Sequence, residues 1–211
     1  MTSTASVFAP PSERDVTRLV LEYPFAWIVT ASEGGLSATP LPLRPVVDAE
    51  GRVAELRGHF ARSNPHVERL RRTPRSLLMF MGPHGYISSS WLEDRTRTPT
   101  WNYAMVQYVV DIELVEDAGR TDALMRDLVE AMETGRSNAW QLEEMGSRYQ
   151  RLVSGVIGFH AHIVERRAKF KLGQDERDVE YTDIVAALTH GGDATLLAWM
   201  QKANPHRGTP A

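Results

Sequence analysis

Three stretches carry most of the chemistry in this chain. They are Gly58-His59-Phe60-Ala61-Arg62-Ser63-Asn64-Pro65, Gly82-Pro83-His84-Gly85-Tyr86-Ile87-Ser88-Ser89-Ser90-Trp91 and Pro99-Thr100-Trp101-Asn102-Tyr103. Gly and Pro set special backbone angles, while the polar and aromatic groups beside them suit a planar, charged ligand. Arg62 is the phosphate candidate, because a guanidinium grips phosphate bidentately. It lies beside Ser63 and Asn64, before a Pro-started helix whose N-terminus can add N–H donors. His59, beside a Gly at a strand end, can donate to a phosphate, act as acid or base, or bind a metal. Asn102, flanked by Trp101 and Tyr103, can hydrogen-bond a ligand while the rings pack; a core or dimer contact is the other reading. His160 and His162 share one strand face, a spacing that can serve a metal. No third ligand accompanies them, so a hydrated strand face or a dimer seam is preferred. His84 is a further candidate, by its Gly-Pro turn. Arg69, Arg71, Arg72 and Arg75 lack interleaved aromatics and read as a solvated helix face.

The elements that must position these residues come from a chain of ordinary globular composition. It has 211 residues, 42% hydrophobic and 24% charged, enough for one domain with a real core. A net charge of −3 gives no overall attraction to nucleic acid. The absence of cysteine excludes disulfides, thiolate catalysis and Cys-ligated metal centres. No apolar run approaches the ~18 residues that span a bilayer, and Met1 to Pro10 lack the features of a signal peptide. A cytoplasmic protein without membrane contact is expected. The first ten residues are expected to be mobile unless a partner subunit holds them.

Ser12 starts a helix that Pro24 ends. Strands are expected at Phe25 to Ala31, Leu36 to Leu41, Val46 to Asp48 and Val53 to Leu56. A short helix follows Pro65. Further strands are expected at Ser76 to Met81, Tyr86 to Ser88, Val106 to Glu116 and around Ile157 to Ile163. Helices are expected over 121–133, 142–153, Val179 to Leu188 and Ala194 to Ala203. Closely spaced hairpins with peripheral helices predict a mainly β, α+β fold: a closed antiparallel barrel with helices outside. One domain over 1–211 is expected, with the barrel in 11–175 and a helical segment in 176–205.

The three motifs, with Lys169-Phe170-Lys171-Leu172-Gly173-Gln174 and the early Phe8-Ala9-Pro10 and Pro24 to Thr30, resemble the PaiB-type FMN-binding proteins over roughly residues 7 to 190. The resemblance implies the FMN-binding split β-barrel, normally a homodimer with two cofactors at its interface. It implies that Thr39-Pro40-Leu41-Pro42 runs along the flavin edge, with Thr39 and Leu41 as contacts. It also implies that Lys171 and Gln174 approach the cofactor from the C-terminal segment. The implied cofactor set is His59, Arg62, Ser63 and Asn64 with Trp101 and Asn102. FMN fits better than FAD, since no Gly-x-Gly-x-x-Gly turn is present for a pyrophosphate.

Two departures stand out. Gln107 replaces the family's frequent His, and Gly173-Gln174-Asp175 replaces Ser-Gln-Asn. The implied function is a flavin-dependent oxidoreductase acting on a small molecule. The relatives offer two alternatives. One is a haem b enzyme of the piperazate-synthase type, with His59 as iron ligand. The other is a transcriptional regulator, for which direct DNA binding lacks a helix-turn-helix signature or basic stripe.

Overall fold

The computed structural model describes residues 6–207. Residues 1–5, half of the N-terminal stretch expected to be mobile, lie outside them. Of the rest, Phe8 is tied down: its carbonyl accepts from the Phe170 N–H at 2.9 Å.

Seven strands form one sheet in the order β2-β1-β5-β6-β7-β4-β3. They are β1 (Phe25–Ser32), β2 (Gly35–Pro42), β3 (Arg44–Val47), β4 (Val53–Ala61), β5 (Arg75–Ile87), β6 (Thr100–Val115) and β7 (Val156–Lys171). β1 pairs antiparallel with β2 and β5, and β4 with β3 and β7. The helices are α1 (Glu13–Glu22), α2 (Pro65–Arg72), α3 (Ala118–Glu133), α4 (Arg148–Ser154), α5 (Asp178–Gly191) and α6 (Ala194–Ala203). The architecture is the expected α+β split barrel.

The chain divides into two compact units. One holds residues 20–80 and 107–167; the other holds 1–19, 81–106 and 168–211.

The first unit is the barrel. β2 and β3 are the two edges of the sheet, yet only Leu43 separates them in sequence. A one-residue link between opposite edges requires the sheet to curl until those edges meet, which removes the open edges that invite aggregation. The core follows the period-2 pattern of the strands. Ile28, Leu56, Phe60, Leu78, Phe80, Tyr108, Val110, Ile157 and Phe159 are buried, with Phe60 and Phe159 rings 5.1 Å apart. Gly58 is needed in that core. A Cβ there would stand 2.8 Å from both Leu43 and Phe159.

In the second unit α6 meets the C-terminal part of β5 and the N-terminal part of β6, with Leu196 against Gly85 and Met200 hydrogen-bonded to Asn102. The Phe170 and Trp199 rings meet edge-on at 5.7 Å. Arg18 lies 4.6 Å over Trp199, and Lys202 is ion-paired with the buried carboxylate of Asp15. Burial alone would push the Asp15 pKa up, but Lys202, Ser12 and Arg18 together hold it below the usual carboxylate range.

The long strands differ from the sequence reading. Ser76 to Met81 and Tyr86 to Ser88 join into one strand, since Gly82, Pro83 and Gly85 are accommodated in β5 against neighbouring side chains. β6 begins six residues before Val106, and β7 continues eight past Ile163. The stretch 142–153 breaks into a 3-10 turn at Leu142–Met145 and α4, with Gly146 between them at φ +55°.

Candidate functional site

The first cluster belongs wholly to the barrel unit. β4 ends at Ala61, and Asn64 then caps α2, its Oδ1 accepting from the His66 N–H at 2.9 Å. Pro65 occupies the first helical position, where a missing N–H costs nothing. The cap lays Asn64 on β2, and its Nδ2 donates to Thr39 Oγ1 at 3.5 Å. The structure thus brings Thr39 and Asn64 together. Leu41 is half-buried further along β2, and Ser63 is exposed.

The Arg62 backbone N–H is pinned to the Gly155 carbonyl at 2.9 Å, which leaves the side chain pointing outward, 38% exposed. Its guanidinium donates to Glu116 Oε2 at 3.4 Å. Glu116 also receives Arg71. These two arginines, Arg71 foremost, hold the Glu116 carboxyl below the usual range. A carboxylate therefore sits on the guanidinium that the sequence assigns to a phosphate.

His59 is half-buried on β4 opposite Gly158. Burial pushes its pKa down, so the ring is neutral at pH 7. Its ring makes no hydrogen bond among the described residues.

His66 is the residue that the sequence does not advertise. It lies one place past the recognisable Asn64-Pro65 pair, yet it is buried, with Nδ1 2.9 Å from Thr39 Oγ1 and Nε2 2.8 Å from Thr30 Oγ1. The only signal for it is a lone imidazole in a helix whose other polar side chains are Glu and Arg.

The other predicted residues belong to the second unit. Trp101 is 51% exposed, with the His84 and Tyr86 rings 5.6 and 6.3 Å away. Lys171 Nζ donates to Thr100 Oγ1 at 2.9 Å and the Trp101 carbonyl at 3.5 Å. Lys169 Nζ lies 5.2 Å over the Phe8 ring and 5.9 Å over Tyr103. Aromatic rings and two ammonium groups share this surface.

Asn102 faces the other way. Because 101–103 are strand rather than loop, alternate side chains take opposite faces. Asn102 is fully buried, donating to Met200 Sδ at 3.5 Å and leaving its Oδ1 unpartnered. Gln174 is also spent internally. Its Nε2 donates to the Phe170 carbonyl at 2.6 Å, and its Oε1 accepts from the Leu172 N–H at 2.7 Å. The turn it closes holds Gly173 at φ +85°, a left-handed conformation that a Ser would adopt only under strain. That accounts for one departure from the family pattern.

His160 and His162 are held by carboxylates, at 2.7 Å to Glu55 and 3.1 Å to Glu113. Among the described residues no group of three or more His, Asp or Glu side chains is placed to hold a metal ion. The basic residues near α2 are engaged. Arg69 donates to Ser32 Oγ and the Gly34 and Gly35 carbonyls, and Arg75 forms a bidentate pair with Asp111.

Comparison with known proteins bears on what this arrangement is. The family model described as "Putative FMN-binding domain" matches residues 4–165. The chain is 29% identical over 185 residues, 86% of each chain, to the Protease synthase and sporulation protein PAI 2 of Bacillus subtilis (strain 168). The structure of the FAD and Heme binding protein from Mycobacterium smegmatis matches with a TM-score of 0.58 at 16% identity, covering 82% of this chain and 78% of that one. The conserved hypothetical protein Rv2991 from Mycobacterium tuberculosis matches with a TM-score of 0.56 at 15% identity, covering 82% and 93%. With the family model matching most of its length, on a split barrel whose motifs run in the family's order, this chain belongs to the FMN-binding domain family.

Proposed function

We propose that the protein is a flavoprotein that binds FMN through the barrel unit and is itself an oxidoreductase acting on a small molecule. The observation that carries this is Arg62: an outward guanidinium at the end of β4, followed by the Ser63 hydroxyl and the capped start of α2, with only a surface carboxylate upon it. That donor set fits a terminal phosphate. Thr39, Leu41 and Asn64 would lie along the polar edge of the ring system. Asn102 and Gln174 drop out of the set, because their amides are turned inward or used by the backbone. Bound FMN supplies hydride or electron transfer; the chain binds and orients it.

A homodimer belongs to the same reading. On β1, Phe25 and Trp27 are 62% and 49% exposed. Their cross-strand neighbours are Pro42, Pro40 and Met79, so an apolar sheet face stands uncovered. A second copy in a two-fold arrangement covers such a face with itself. This interface differs from the one expected from the sequence, which centred on residues 101–103 and the strand from Ile157.

One observation favours haem as the second reading. The His59 imidazole is neutral, half-buried and without a hydrogen bond among the described residues, the state in which a His can ligate iron. Direct nucleic-acid binding draws no support, because Arg69, Arg71 and Arg75 are engaged within the chain.

The visible spectrum of the purified protein, alone and titrated with FMN, tests these readings. FMN fluorescence quenched on binding supports the flavoprotein. A Soret band, with flavin fluorescence unchanged, replaces it with the haem reading.

A further inference from the structure

The barrel unit contains a hydrogen-bond chain that ends on a pure acceptor. It runs from Asn64 through Thr39, His66, Thr30 and Ser76 to the Pro74 carbonyl. The Pro74 carbonyl can only accept, and the direction follows once the single hydroxyl hydrogen of Ser76 is assigned to it across 3.3 Å. The hydrogen between Thr30 and Ser76, 2.7 Å apart, must then come from Thr30. Thr30 has no second hydrogen, so His66 Nε2 is the donor in the 2.8 Å contact to it. A neutral imidazole carries one N–H. His66 Nδ1 is therefore bare, and Thr39 donates to it across 2.9 Å.

Asn64 cannot reverse this. Its Oδ1 is taken by the His66 backbone N–H, which orients its Nδ2 towards Thr39 as a second donor. Burial, with the charge of Arg69, holds the His66 ring below the usual imidazole range and so neutral at pH 7.

The outcome is a half-exposed threonine hydroxyl with its only hydrogen committed inward. We propose that His66 is a positioning residue that makes Thr39 a pure hydrogen-bond acceptor, so that the site selects a ligand presenting a ring N–H along β2. The inference rests on the reading that FMN lies along β2. The polar edge of oxidised isoalloxazine offers acceptors at N1, O2, O4 and N5 but one donor, N3–H. Thr39 would take N3–H, and a ring edge offering acceptors alone would leave its lone pair unmatched.

The test compares FMN with N3-methyl-FMN by fluorescence titration. The wild-type protein is expected to prefer FMN by about threefold to tenfold, the value of one neutral hydrogen bond. Thr39→Val should abolish the preference, and Thr39→Ser should keep it. His66→Gln should reduce it, and the double variant with Thr39→Val should lose no more than Thr39→Val alone. Nitrogen-15 NMR of the ligand-free protein should find His66 protonated at Nε2 and bare at Nδ1.

A proton on Nδ1 overturns the inference without reference to any flavin. Equal affinity of the wild type for both flavins, a preference that survives Thr39→Val, or additive losses in the double variant overturn it while leaving FMN binding intact. Failure of both flavins to bind overturns the flavin reading and this one with it.

Discussion

Arg62 and Glu116 set the terms of anion binding at the level of single side chains. Replacing Arg62 with Ala removes a charge-assisted contact to phosphate, worth about 1.5–3 kcal/mol, or roughly ten- to a hundredfold in FMN affinity. His59→Gln should cost far less if the cofactor is flavin; the order reverses if it is haem. Glu116→Gln moves affinity the other way. The carboxylate is anionic at neutral pH and occupies Arg62, and an exposed pair of this kind is weak and screened by solvent. Its loss should tighten FMN binding by up to about fivefold. Titrations of the three variants check all three directions.

His66 adds a pH dependence. Its folded pKa lies below the ordinary value of 6.5, so below about pH 6.5 the unfolded chain takes up a proton that the folded chain refuses. Stability should therefore be intact above pH 6.5 and erode as pH falls below it. His66→Gln should flatten that part of a Tm–pH curve.

Among the elements, β4 is the one whose packing the site depends on. It carries His59 on one face and Phe60 on the other, and it delivers the chain to Arg62 and α2. Gly58 lets it pass Leu43 and Phe159 closely, and its missing Cβ is the reason. Gly58→Ala forces those side chains apart, at a cost of about 1–3 kcal/mol. Chemical denaturation should show the midpoint shifted down with little change in slope. Added FMN should recover part of the loss, because a ligand that binds only the folded state stabilises it.

For the whole molecule, the expected mass in solution is twice the 23.7 kDa of one chain. Trp27→Glu, at the centre of the uncovered face of β1, places a charge where a second copy would have to desolvate it. Light scattering should find the wild type dimeric and this variant shifted towards monomer. A variant that stays dimeric would move the interface elsewhere, with residues 101–103 and the strand from Ile157 next in line.

Much of this was legible in the chain. Strand alternation, hairpin turns, the Pro-started α2 and the Gly-rich motifs depend on neighbours a few residues apart, so the barrel with outer helices and the Arg62-Ser63-Asn64 run could be read directly. The lengths of β5, β6 and β7 could not. Gly82, Pro83 and Gly85 are local breaking signals, overridden by packing against residues distant in sequence. The same holds for orientation. Asn102 sits in the most recognisable motif, yet the strand through it turns its amide to Met200, and Gln174 is consumed by its own turn. His66 carried no local mark at all. Its role exists only because β1, β2, β5 and α2 meet around one imidazole, and hydrogen bonds spanning up to 46 residues in sequence are settled by tertiary structure alone.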